Sequence, residues 1–186
     1  MSHREKIHVL AAAACAVAAA GALPAEPLHL QGRYLFECYG PDGQLKWRDT
    51  LDNLVTTAGK NDLLDKYLAG SAYTATWYLG LISNTGYTAV AAGDTSASHA
   101  GWTESTAYSD ATRQAPSWGA AASGSKASTA TAFAINATAT IKGAFLISNS
   151  TKGGTTGVLY SAGLFSGGDR AVVSGDTLNV TYTASA

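Results

Sequence analysis

The chain has 186 residues, 46% of them hydrophobic and only 13% charged, with a net charge of −1. The charged share is about half the usual one. No Lys/Arg cluster is present to neutralise phosphates, which argues against nucleic acid as a partner. A chain of this length buries roughly two-thirds of its unfolded surface on folding, enough for one real core. Its 20 glycines and its excess of Ala, Ser and Thr give a polar but weakly charged surface. Such surfaces suit proteins that work outside a cytoplasm or packed into an assembly, where self-repulsion does not maintain solubility. The two cysteines, Cys15 and Cys38, are too few for a disulfide framework and read as free, buried thiols.

Residues 1–31 form an N-terminal arm or signal-like segment, and 32–186 a β domain. His3, Arg4 and Lys6 precede an apolar run from Ile7 to Leu23, broken only by His8 and followed by Pro24-Ala25-Glu26-Pro27. A basic start, an apolar middle and small residues near Ala25 have the layout of a secretory signal. Most of the run is alanine, which favours helix, and it is shorter than the roughly 20 strongly apolar residues of a spanning helix. Cleaved signal and packed helical or extended arm both stay open at this point, and a transmembrane anchor is not expected.

Arg33–Tyr39 and Gln44–Thr50 flank Gly40-Pro41-Asp42-Gly43, a turn in which proline fixes one φ and glycine supplies a positive one, so a hairpin is expected. Leu63, Leu64, Tyr67 and Leu68 recur at helical spacing behind Asn61-Asp62, and Gly70 supplies a stop, which predicts a short helix over Asn61–Ala69. Trp77-Tyr78-Leu79-Gly80-Leu81-Ile82 reads as a buried central strand. From Ser83 to Ser128 the chain is loop-like, yet Tyr87, Trp102, Tyr108 and Trp118 recur through it, and aromatics at that density hold a loop down. Ala120–Ala132 is low in complexity and reads as a mobile linker or an edge.

Beyond it, apolar alternation from Phe133 to Tyr182 is cut by glycine-rich turns, the pattern of a β-meander. Phe133, Ile135, Ile141, Phe145 and Ile147 take the odd positions of one strand. Val158–Phe165 forms the next, and Leu178, Val180 and Tyr182 share a face of the last. Trp77, Leu79, Leu81, Phe145, Ile147 and Val180 are the expected core. The fold class predicted is mainly β, a β-sandwich of jelly-roll or immunoglobulin-like type with one short helix, and a closed barrel is the alternative.

A search for chemistry finds little. Ser98 and His99, with Asp94 and Glu104 nearby, lie in one small-residue loop rather than on separate rigid elements, and Gly-x-Ser-x-Gly is absent. In Lys152-Gly153-Gly154-Thr155-Thr156-Gly157 the lysine precedes the glycines and a β run follows, which is a hairpin turn and not a phosphate loop. Asp94, Asp169 and Asp176 are isolated turn residues, and no Cys or His pair has zinc spacing. Three Asn-x-Thr/Ser matches, at Asn136, Asn149 and Asn179, arise by chance in a Thr-rich chain. No catalytic, cofactor-binding or metal-ligating residue is assigned, and the protein reads as a non-enzyme.

Several phrases resemble a group of small structural proteins carried by tailed bacteriophages. They are Phe36-Glu37-Cys38 with Gly40-Pro41-Asp42-Gly43 and Lys46-Trp47, Asp52-Asn53-Leu54-Val55-Thr56-Thr57, and Gly59-Lys60-Asn61-Asp62-Leu63-Leu64-Asp65-Lys66-Tyr67. Trp77 to Ile82, Ala92-Gly93-Asp94-Thr95, Gly101-Trp102-Thr103-Glu104, Lys152-Gly153-Gly154-Thr155 and Ser174-Gly175-Asp176-Thr177-Leu178 continue the series. The similarity runs from about residue 32 to the end and leaves out the alanine-rich segment. It implies a virion structural protein without catalytic residues, and head decoration is the role it best supports. The implied partner is the major capsid protein, in a homo-oligomer on the capsid surface, with no membrane in the mature virion. The competing classes are a tail or head-fibre adhesin for a surface carbohydrate, and a secreted bacterial β-domain that loses its first 25 residues.

Overall fold

A computed structural model describes residues 29–68, 70, 72 and 76–186. The apolar run and Cys15 lie outside these residues. The described chain is mainly β: β1 (Gln31–Tyr39), β2 (Leu45–Val55), α1 (Thr57–Leu68), β3 (Tyr78–Ser83), β4 (Thr103–Ser105), β5 (Ser125–Ala127), β6 (Thr131–Ala134), β7 (Ala139–Ile147), β8 (Leu159–Leu164), β9 (Arg170–Val172) and β10 (Thr177–Ser185). Every pairing is antiparallel, in the order β4-β3-β7-β8-β2-β1-β10-β5, with β6 also on β10 and β9 also on β7. The hairpin β1–β2 forms where the Gly-Pro-Asp-Gly turn places it, and Gly43 takes the positive φ of 75° that the turn needs.

β2 is the hinge of the topology. Its first part pairs with β1 from Leu45 to Asp52, and its last three residues, Asn53–Val55, pair with β8. One long strand therefore serves both halves of the sheet. The main apolar cluster draws on both: Tyr34, Phe36, Leu178, Val180, Tyr182 and Phe133 from one half, and Leu79, Leu81, Ile141, Ala144, Leu146 and Val172 from the other. Two of its three buried tyrosines, Tyr34 and Tyr182, have hydrogen-bonded hydroxyls, while the buried hydroxyl of the third, Tyr108, has no partner. Tyr34 Oη lies 2.9 Å from Ser161 Oγ, and Asn53 Nδ2 donates to Tyr182 Oη at 2.9 Å, the usual state of a buried phenol.

Three expectations are corrected. The run from Phe133 to Ile147 is not one strand: β6 joins β10 and β7 joins β3 and β8, with Ile135–Thr138 crossing between them. Nor do its odd positions share a face. Ile82 opposes Gly143 and Ser83 opposes Ile141, so Lys142 is an extra residue in a bulge, and a bulge re-aims everything after it. Ile141 enters the main cluster. Beyond the bulge the even residues Ala144 and Leu146 do so, while Phe145 and Ile147 turn to a second cluster with Ile82, Trp102, Leu159 and Ala162. Trp77, expected in the core, is only partly buried at its border.

The helix is also longer than expected at its start. Thr56, not Asn61-Asp62, is the cap: its Oγ1 accepts the N–H of Gly59 at 3.0 Å, and its carbonyl accepts that of Lys60 at 3.0 Å. Gly59 also lets the helix touch β8, because a Cβ there would stand 2.4 Å from the Tyr160 carbonyl oxygen. The long loop is pinned by its aromatics as anticipated, with Trp102 and Tyr108 buried. Of the two readings of Ala120–Ala132, β5 shows an edge, paired to β10.

One buried charge sits where β1, β2 and β10 meet. The Asp176 side chain is 0% exposed; its Oδ2 accepts Lys46 Nζ at 2.6 Å and the Val173 N–H at 2.9 Å, and Cys38 Sγ donates to it at 3.7 Å. Burial opposes ionisation of this carboxyl, but the Lys46 hydrogen bond and charge, with the Val173 N–H and the thiol, outweigh it and hold it below the usual carboxylate range. Cys38 is a free thiol that burial, together with the adjacent carboxylate, pushes up to about 11.

Two measurements test this account. Phe145→Ala should lower the unfolding free energy by about 3–5 kcal/mol in urea denaturation, since the ring fills the second cluster; an unchanged midpoint would show it does not. Asp176→Asn should cost about 1–3 kcal/mol at neutral pH. Because the folded carboxyl titrates below its unfolded value of about 3.9, its contribution is complete above that pH and vanishes as pH falls through the lowered value. The parent and Asp176→Asn should therefore converge in acid, and a gap that stays constant with pH would contradict the assignment.

Candidate functional site

The loop between β3 and β4 holds the residues with catalytic chemistry, and each is occupied in shaping the loop. Asp94 Oδ2 accepts the Ala91 N–H at 3.0 Å and Trp102 Nε1 at 2.9 Å. His99 Nδ1 lies 3.0 Å from the Trp102 carbonyl oxygen; that oxygen only accepts, so Nδ1 carries the proton. The imidazole also stacks on Trp102 with ring centroids 4.1 Å apart. The Ser98 side chain is exposed, and its N–H donates to Thr95 Oγ1 at 3.1 Å. His99 and Asp94 thus converge on Trp102, while Ser98 turns back to Thr95 through its backbone.

Glu104 has a different partner, which sequence reasoning missed. Arg113 Nε donates to Glu104 Oε1 at 3.0 Å and Nη2 to Oε2 at 2.9 Å, with the two side chains only 3% and 7% exposed. Arg113 Nη1 donates to the Asn149 carbonyl and Nη2 to the Gly154 carbonyl, both at 3.0 Å, and Glu104 Oε2 accepts the Gly153 N–H at 2.6 Å. The guanidinium carbon lies 5.2 Å from the Phe145 ring centroid. The turn read as lacking phosphate-loop order, Lys152–Gly157, is the object this clamp grips. Lys152 adds to the hold, with Nζ donating to the Tyr108 carbonyl at 2.9 Å and lying 4.0 Å from that ring's centroid. A cavity of about 240 Å³ lies beside the clamp, lined by Ser96, His99, Thr103, Phe145 and Leu159 among others. Nothing in the spacing of Glu104 and Arg113 marks them as a pair. The available signal was an arginine set among small residues in a charge-poor stretch.

Among the described residues no group of three or more His, Cys, Asp or Glu side chains could hold a metal ion. Asp169, read as an isolated turn residue, accepts Lys142 Nζ at 2.7 Å. Asn149, in one of the glycosylation-like triplets, uses its amide on Thr156 Oγ1 at 2.9 Å and accepts the Thr151 N–H at 2.7 Å.

A larger concave surface than this cavity lies elsewhere. A groove of about 520 Å³ runs between α1 and the sheet, within the range of ligand clefts. Leu63 and Tyr67 line it from α1, and Trp77, Leu146, Tyr160 and Tyr182 from the strands and their approaches. Pro116 and Trp118 come from the long loop, and Lys126 and Ala184 from the paired strands β5 and β10. Trp77 meets Tyr160 edge-on at 5.4 Å, and Trp118 meets Tyr182 edge-on at 6.1 Å. Tyr67 and Leu68 on the last turn of α1 are 76% and 73% exposed, and Leu64 44%. The arrangement offers apolar contact area, with Asp62, Lys66, Thr76 and Lys126 also in its lining.

In comparison with known proteins, no family model matches the chain, and no curated protein matches it.

The clamp gives a prediction. Arg113→Met strands a buried carboxylate and should cost about 3–5 kcal/mol by chemical denaturation. Arg113→Met with Glu104→Gln should cost less than the sum of the two single changes, and strict additivity would mean that the pair does not act as one unit.

Proposed function

We propose that the protein is a non-enzymatic structural component of a tailed-bacteriophage virion, a head decoration protein that binds the major capsid protein and adds stability through contact area. The observation that carries this reading is the uncovered apolar face of α1. Leu64, Tyr67 and Leu68 project from one short helix beside an apolar groove, and exposed patches of this kind mark contact surfaces. The helix falls within the stretch from Gly59 to Tyr67, one of the phrases that resemble phage structural proteins. The low charge fits a surface whose solubility is settled by assembly. In this reading the two halves of the sheet, joined through β2, pack as a sandwich of jelly-roll or immunoglobulin-like type. A main cluster fed from both halves supports that arrangement. The protein works as a homo-oligomer, as closed assemblies at symmetry axes favour.

A second reading, a tail or head-fibre adhesin for a surface carbohydrate, has one observation in its favour: the aromatic lining of the groove by Trp77, Trp118 and Tyr160. Mass spectrometry of purified virions with cryo-electron microscopy of the head separates the two. Decoration predicts the chain on the outer shell with α1 against a capsid subunit. Recovery from the tail alone, or from culture fluid free of virions, would reject it. On the capsid, Leu68→Asp should strip the protein from the shell while leaving its own melting temperature nearly unchanged, since that side chain is mostly in solvent and does not line the groove.

A further inference from the structure

The groove lies beside the point where the N-terminal segment enters the fold. Gln31, the first residue of β1, pairs with Ser185, and Gly32 pairs with Ala184, which lines the groove. Gly32 also abuts a second lining residue: a Cβ there would stand 2.2 Å from Tyr182 Oη. The 28 residues that precede His29 are therefore tethered at the groove's border. They contain the most continuously apolar part of the chain, Ile7 to Leu23, interrupted only by His8.

We propose that the groove is the docking site of the chain's own N-terminal apolar run, Ile7 to Leu23. Three considerations select this occupant. Leu63, Leu146, Pro116 and Ala184 contribute no hydrogen-bonding side chain to the groove wall. Those apolar surfaces suit Val9, Leu10, Val17 and Leu23, while Asp62, Lys66, Thr76 and Lys126 give the same groove a polar side. The alanines between those residues carry no bulk that would hold the run off the rings of Trp77, Trp118 and Tyr160. Attachment makes the contact intramolecular, with an effective concentration on the order of millimolar for a short linker. The linker Pro24–Leu28 spans at most about 17 Å when extended, which keeps the run close to the rim it leaves. Covering the groove removes an apolar liability from the free protein. The inference does not depend on the virion reading, because it concerns one chain in solution.

The native cysteines supply the test. Cys15 lies within the run, and Cys38 is buried and free, out of reach of a polar thiol reagent in the folded protein. A nitroxide on Cys15 of the full chain is expected to broaden the indole N–H signals of Trp77 and Trp118 beyond detection. Those of Trp47 and Trp102, which do not line the groove, should keep their intensity, and single Trp→Phe variants assign the four. Reducing the nitroxide should restore the lost signals. So should Leu10→Asp combined with Val17→Asp, with the rest of the spectrum unchanged. Intact Trp77 and Trp118 signals, equal broadening of all four, or broadening that appears only on mixing labelled with unlabelled chains would overturn the proposal. A mature protein that begins near Glu26 in its natural source would do so as well, as would a soluble glycan that shifts Trp77 and Trp118 in the unlabelled full chain.

Discussion

A guanidinium taken almost wholly out of water has to find its hydrogen-bond partners within the protein, and the Arg113 side chain is the place where this chain meets that demand. Its partners come from separate stretches: Glu104 on β4, and the carbonyls of Asn149 and Gly154 in the turn between β7 and β8. A loop with little regular hydrogen bonding of its own is thereby fastened to a turn far along the chain. His99 stacks on Trp102, and Trp102 meets Phe145 at a tilt, over the same corner. The second apolar cluster depends on the clamp, because Phe145 packs under the charge that holds the turn in place.

The two concave surfaces differ in what built them. The small cavity beside Glu104 is bordered by the ion pair of Glu104 with Arg113 and by the turn carbonyl and N–H that the pair holds. The groove beside α1 follows from a steric permission at one residue. Because Gly59 lies directly on the backbone of Tyr160, the helix starts close to β8. Its later turns leave Leu63 and Tyr67 facing Trp77 and Trp118 across open space. Apolar surface left uncovered by such an approach is available for contact, which is why the functional reading rests on area and not on chemistry.

What was legible in the sequence was local. The Gly-Pro-Asp-Gly hairpin, the strand around Leu79 and Leu81, the last strand with Leu178, Val180 and Tyr182, and a helix through Leu63 and Tyr67 all announced themselves by period and punctuation. The start of the helix did not, because Thr56 competes as a cap with the equally plausible Asn61-Asp62 and wins through contacts to β8, including its Oγ1 bond to the Leu159 carbonyl. The phase of β7 was hidden because a bulge at Lys142 depends on the register with β3, which no single-strand pattern encodes. The clamp and the groove are assembled from residues dozens of positions apart, and each of those residues alone reads as ordinary loop or core.

Gly80 and Phe145 face each other across the β3–β7 pair, and a Cβ at position 80 would stand 2.2 Å from the tip of the Phe145 ring. The two positions therefore behave as one unit of inheritance. A lineage that gained a side chain at 80 would first have to shed the ring at 145, passing through a chain with a void in its second cluster. Paired randomisation of the two codons should recover glycine with a large ring, or a larger residue with a small one, and very little else.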